Sequence, residues 1–235
     1  MMFWRSFSRG LADMAPVLTA FVPIGMLWGA LAAAKGLTPA EAGLMSAFVF
    51  AGASQFVAVE MWHDPVPVLL LGFTAFIVNV RHFLMSASIS RHMPGFSFPM
   101  KALGLYILCD ETWAVAERRA LSEELTVPYY FGVALSAWVT WLIASITGAV
   151  IGMQFGDPAA YGIDFAFAAL FIAILAGFWK GPRTGAVLAA SAASAAVAKL
   201  TIGGAWYIVI GGMCGVAVAA LLHVEREEEA DGVRP

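Results

Sequence analysis

Long apolar runs, with most of the charge gathered into the turns between them and the two chain ends, leave this chain few ways to fold. Runs suited to the bilayer lie at 11–34, 42–62, 66–90, 102–116, 129–153, 163–179, 184–200 and 202–223. A helix crossing roughly 30 Å of hydrocarbon needs about 20 largely apolar residues, and most of these runs supply them. Hydrophobic residues make up 61% of the chain and charged ones only 12%, where a soluble domain carries about 25% charge. Water therefore cannot be the solvent. Lipid offers the backbone no hydrogen-bond partners, so each run must satisfy its own as a helix. The expectation is an all-α, polytopic transmembrane helix bundle of about seven or eight spans.

The turns suit this reading. Lys35-Gly36-Leu37-Thr38-Pro39, Gly156-Asp157-Pro158 and Lys180-Gly181-Pro182-Arg183 are helix breakers set between runs. The fourth run is short and carries Asp110 and Glu111 near its middle, which predicts a broken or re-entrant helix. The seventh is rich in Ala and Ser, small residues that let helix backbones approach closely. Arg5 and Arg9 before an apolar run ending Ala30–Ala34 imitate a signal peptide, but the run is long enough to span and reads as a retained first helix. Residues 1–223 are expected to form one transmembrane domain and 224–235 an acidic cytoplasmic tail.

Lys and Arg favour cytoplasmic loops. Eight spans with the N-terminus inside put Arg5, Arg9, Arg118, Arg119, Lys180, Arg183, Arg226 and Arg234 on the cytoplasmic side. Lys35, Arg91, Lys101 and Lys199 then fall outside, and the loop holding Asp157 and Asp164 lies there without a positive charge. A faint internal echo accompanies this. Gly25 and Gly29 precede the Pro39 turn, as Gly148 and Gly152 precede the Pro158 turn, a pattern that repeated transporter halves would leave.

Several classes of function drop out. A net charge of −3 leaves no nucleic-acid footprint. Cys109 and Cys214 sit in apolar runs without CxxC spacing, so neither a disulfide framework nor a metal site is expected. His63, His82, His92 and His223 show no HExxH spacing, and no P-loop is present. No cofactor is called for.

Ionisable groups at membrane depth are expensive and mark candidate sites. Three clusters qualify. Ser46 and Gly52-Ala53-Ser54-Gln55 lie in the second run, where a glycine among small residues can open a helix to a ligand, or where Ser and Gln simply glue helices together. Asn79, Arg81 and His82 lie in the third; Arg81 is too deep to snorkel easily, and its donor fork suits a carboxylate from a substrate or from the protein. His82 has the chemistry of a proton relay or of a satisfied structural histidine. Asp110 and Glu111 lie in the fourth, about 100° apart on a helix, so one can pair with Arg81 while the other faces an ammonium group or a proton. An interfacial placement with Trp113 as a belt residue is the alternative. The inventory suits a small zwitterion with an apolar side chain.

The stretch Met45–Phe56, then Asn79-Val80-Arg81-His82-Phe83-Leu84-Met85-Ser86, then Asp110-Glu111, with the earlier Pro23-Ile24-Gly25 and Gly29, resembles the AzlC family, the large subunits of branched-chain amino-acid exporters. The likeness runs from about residue 10 to 222. It implies a two-component secondary transporter of the inner membrane, paired with a small AzlD-type membrane subunit and exporting valine, leucine, isoleucine or methionine. It brings no established site residues with it. Ser46, Gly52, Ser54, Gln55, Asn79, Arg81, His82, Asp110 and Glu111 are therefore expected to bind substrate or couple a proton on the membrane-depth argument alone. Pro16, Pro23, Gly25, Gly29 and Gly52 are candidate hinges. The rival classes are a channel, which needs polar residues repeated along a helix face, and a membrane-embedded enzyme, which needs a nucleophile–base pair.

Overall fold

The computed structural model describes residues 2–154, 165, 169, 172, 175, 176, 179–202 and 206–231, with side chains within the stretch from Phe3 to Leu222. Among the described residues every regular element is helical, as the apolar runs require. The chain forms two compact units: Met1–Pro67 with Val78–Phe167, and Val68–Ile77 with Ala168–Pro235.

The first unit is built on two long helices, α1 (Met2–Ala34) and α8 (Val127–Gly152). Glycines set their contact. A Cβ on Gly10 would run into the Tyr129 carbonyl, one on Gly132 into that of Phe7, and one on Gly148 into that of Met26. One on Gly25 would lie 2.8 Å from the Ala144 Cβ, and one on Gly152 would lie 2.8 Å from the Ala30 Cα. Contact positions rise together along both chains, so the helices run parallel. Where lipid removes the hydrophobic drive, close backbone approach of this kind is what binds helices together. The two glycine pairs noticed in the sequence thus face one another across a single seam.

Six shorter helices lie between α1 and α8 along the chain: α2 (Pro39–Val49), α3 (Gly52–Glu60), α4 (Val68–Asn79), α5 (Arg81–Ser90), α6 (Phe98–Tyr106) and α7 (Asp110–Ala120). Of α4, only the end belongs to the first unit. The runs at 42–62, 66–90 and 102–116 are each broken once, at Phe50-Ala51, at Val80 and at Ile107–Cys109. Thr38 opens α2 with a full capping box. Its backbone N–H and hydroxyl hold the Glu41 carboxyl below the usual carboxylate range.

Polar contacts sort the helix ends by face. Arg9 pairs with Glu123 at 3.1 Å and Arg119 pairs with the same carboxylate at 2.6 Å, while Tyr129 donates to Asp13 at 2.8 Å. The end of α7 therefore lies beside the start of α1. Glu117, near that end, also receives the Ser88 hydroxyl and lies 3.4 Å from His92 Nε2. Lys101 Nζ reaches the Ser90 carbonyl at 3.5 Å. The end of α5 and both ends of the α6–α7 pair thus share the N-terminal face. With 9 and 11 residues, these two helices reach roughly 14 and 17 Å, about half of the membrane. They form a re-entrant hairpin, as Asp110 and Glu111 in mid-run led us to expect. The placement of Arg91 and Lys101 on the external side is corrected by the same contacts: a run that dips in and returns does not change sides.

Helices α4 and α5 together are long and apolar enough for one crossing, bent by 40° at Val80. The α2–α3 pair turns back. Gln55 bonds Ser46 at 3.0 Å, yet nine residues of straight helix would hold them roughly 13 Å apart. Phe50, at φ 37°, turns the chain. The eight peptide steps from Glu60 to Val68 reach at most roughly 28 Å, too short to recross the membrane. A second hairpin therefore dips in from the face opposite the N-terminus. One crossing between two hairpins is an odd count, which is what a parallel α1 and α8 demand.

In the second unit α9 (Pro182–Thr201) and α10 (Trp206–Asp231) pack antiparallel, Gly211 against Ala195 and Gly215 against Ser191. The small residues of the Ala- and Ser-rich run let α10 approach closely, but among the described residues the helix is otherwise largely exposed, where the sequence led us to expect a helix packed inside the bundle. Phe73 of α4 meets Trp206 with ring centroids 5.6 Å apart. The run at 163–179, the Gly156-Asp157-Pro158 turn and Asp164 lie almost wholly outside the described residues, as do the side chains of the acidic tail. Among the described residues α1, α8 and α9 are each long and apolar enough to cross a membrane, and the bent pair makes a fourth.

Candidate functional site where three helix breaks meet

A helix end leaves its last carbonyls and first amides without partners. Three such interruptions lie within the first unit, and aromatic side chains from other helices serve the exposed carbonyls. Tyr106 donates its hydroxyl to Phe48 O at 2.9 Å, and Trp138 Nε1 donates to Ala47 O at 3.1 Å. Tyr130 donates to Gly104 O at 2.7 Å. At the other side of each break, the starts of α3, α5 and α7 carry no side-chain cap.

The breaks are tied to one another. Asn79 Nδ2, at the end of α4, donates to Ser54 Oγ at 3.2 Å, and Ser54 in turn donates to Ala51 O at 2.9 Å. Arg81, at the start of α5, pairs with Asp110, at the start of α7, at 3.0 Å. Tyr106, at the end of α6, holds the end of α2. All three sequence clusters therefore converge on one locality.

Within it the residues divide by environment. Ser46 and Gln55 are fully buried and belong to a closed ring. Gln55 Nε2 donates to Ser46 Oγ, which donates to Ser145 Oγ at 2.9 Å. Ser145 donates to Trp141 O at 2.7 Å, and Trp141 Nε1 returns to Gln55 Oε1 at 2.9 Å. A buried network is stable only when its members are satisfied, and this one fixes the tip of the α2–α3 hairpin against α8. Gly52 sits under the Trp141 ring, where a Cβ would come within 3.1 Å. Ser54 is buried, while Asn79 and His82 are half-buried. Asn79 Oδ1 and Trp113 Nε1 are buried atoms without hydrogen-bond partners in the structure. The Arg81 and Asp110 side chains stay 42% and 45% exposed on the unit's surface, and Glu111 is exposed beside them. The ion pair thus faces outward from the first unit while the amide and hydroxyl groups line its inner side. Among the described residues no His, Cys, Asp and Glu cluster could hold a metal ion.

Sequence reasoning missed Tyr106, Tyr130, Trp138, Trp141 and Ser145. For the four aromatic residues the available signal was a hydroxyl or indole inside an apolar run, which lipid tolerates only where a partner waits.

Comparison with known proteins shows the family. The family model described as AzlC protein matches residues 16–155, which hold all three breaks. The chain is 28% identical over 223 residues to an inner membrane protein, YgaZ, of Escherichia coli strain K12, covering 92% of this chain and 90% of that one. It is 25% identical over 180 residues to the branched-chain amino acid transport protein AzlC of Bacillus subtilis strain 168, covering 75% and 69%. An uncharacterized membrane protein of Archaeoglobus fulgidus is 29% identical over 199 residues, covering 83% and 86%. No solved structure matches.

Proposed function

The chain belongs to the AzlC family, and from that premise we propose that it is the large subunit of a secondary transporter exporting branched-chain amino acids across the inner membrane. The relatives named for an inner membrane and for branched-chain amino acid transport support the location and the substrate class. The observation that carries the reading is the Arg81–Asp110 pair at the junction of three breaks. A zwitterion entering there gives its carboxylate to Arg81 and its ammonium to Asp110. Both protein charges exchange one partner for another, and neither is left bare, which is the costly outcome in a low dielectric. Ser54 and Asn79 supply further hydrogen bonds, Ser46 and Gln55 hold the break open, and Glu111 with His82 carries the coupling proton.

The faces support an N-terminus in the cytoplasm. Arg5, Arg9, Arg91, Lys101, Arg118 and Arg119 gather on the N-terminal face of the first unit, against Lys35 on the other, and short cytoplasmic loops hold Lys and Arg. A small AzlD-type membrane subunit completes the transporter.

The test is co-reconstitution of the chain with its small partner in liposomes and measurement of labelled leucine, valine and methionine flux. Arg81→Ala is expected to reduce leucine flux by roughly tenfold or more, since hydrogen bonds to charged groups contribute about 1.5–3 kcal/mol. Flux that is unchanged in this variant removes the site; absence of flux for all three amino acids removes the substrate class.

A further inference from the structure

The two hairpins enter from opposite faces, and each is held to α8 by its own bonds. The α2–α3 hairpin is fixed by the Ser46–Ser145 contact, by Trp141 and by Trp138. The α6–α7 hairpin is fixed by Tyr130, whose hydroxyl grips Gly104 O at 2.7 Å. Between the two tips the contact is of another kind. Tyr106 OH donates to Phe48 O at 2.9 Å, with Ala47 O at 3.4 Å beside it. Tyr106 is the last residue of α6, next to the break at Ile107–Cys109, and its side chain is half exposed. Phe48 O lies next to the break at Phe50-Ala51, where the backbone has left the helix. Both partners of this bond therefore sit beside points at which the chain can bend.

We propose that Tyr106 is the gate of the pathway: its hydroxyl latches the hairpin from one face to the hairpin from the other, and release of Phe48 O parts the two tips. The proposal rests on the reading of the break junction as a transport route. One hydrogen bond is the right size for such a latch. Its net worth of about 0.5–1.5 kcal/mol amounts to a roughly 2- to 10-fold bias between closed and open, small enough for substrate binding to reverse. Trp138 supplies the internal control. It caps the same end of α2, on Ala47 O, but from α8, so its loss weakens the hairpin without unlatching the tips.

The experiment places one reporter cysteine at Val80, the exposed break residue between α4 and α5, in a Cys109→Ala, Cys214→Ala background. Vesicles of each orientation are treated with a membrane-impermeant maleimide, and labelling rates from the two faces are compared. With Tyr106 present, Val80→Cys is expected to label from one face. Tyr106→Phe keeps that labelling, which shows that the fold is intact, and raises the rate from the other face by roughly 2- to 10-fold, the worth of the lost bond. Trp138→Phe leaves the two-face ratio unchanged. Equal ratios in Tyr106→Phe and the parent, or the same change in Trp138→Phe, overturn the gate. Leucine flux is measured in the same vesicles. Absence of flux with the labelling contrast intact strikes the substrate reading and leaves the gate standing, whereas normal flux without the contrast strikes the gate alone.

Discussion

At the scale of single residues, the proposed site separates groups free to meet a ligand from groups that brace. Arg81 and Asp110 satisfy each other at 3.0 Å and remain half exposed, so the pair can open toward a ligand without burying a lone charge. Exchanging them, Arg81→Asp with Asp110→Arg, is expected to restore protein yield lost in either single variant, because the pair survives; leucine flux is expected to stay low, because the carboxylate receptor has moved. Expression level and flux on the same preparations check both halves. Ser46 behaves differently. It is fully buried with two partners in the ring, and Ser46→Ala leaves the Gln55 amide without an acceptor. A loss of about 1–3 kcal/mol in stability is expected, the cost of an unsatisfied buried polar group, read as a lower unfolding midpoint in detergent.

At the scale of elements, the glycine seam between α1 and α8 decides how close the two longest helices lie. Gly29 faces the Ser145 carbonyl with no room for a Cβ, whereas Gly72 has nothing within 4 Å of where one would stand. Gly29→Val is therefore expected to force the helices apart and cost about 2–3 kcal/mol, while Gly72→Ala is tolerated. Thermal stability of the two variants, measured side by side in detergent, checks the contrast. The seam matters to the site because Ser145 and Trp141 rise from the same stretch of α8, so separation of the helices would also loosen the ring that holds the α2–α3 tip.

At the scale of the whole molecule, the hairpins fix the sidedness of the loops. His63, between α3 and α4, belongs to the face opposite the N-terminus, and Arg91, between α5 and α6, belongs to the N-terminal face. Single cysteines at these positions are expected to label from opposite sides in oriented vesicles, with Arg91→Cys matching one placed at Arg5. Labelling of positions 63 and 91 from the same side would contradict the hairpin arrangement.

The sequence alone determined the solvent and the helical class, and it singled out the residues proposed here as the site. Apolar runs with segregated charge permit only helices in lipid, and ionisable or amide groups inside such runs are too costly to be accidental, so Arg81, Asp110 and Gln55 stood out without coordinates. The break in the fourth run was legible for the same reason. What only the tertiary structure decided is how these places meet. A run of about twenty apolar residues has the same composition whether it crosses or turns back halfway, and the difference lies in contacts such as Gln55 with Ser46, nine positions apart. The division of Ser46 and Gln55 from Arg81 and Asp110, and the link from Tyr106 to a backbone carbonyl, rest on long-range geometry in the same way: a hydrogen-bond acceptor on the main chain leaves no mark in the identity of its residue.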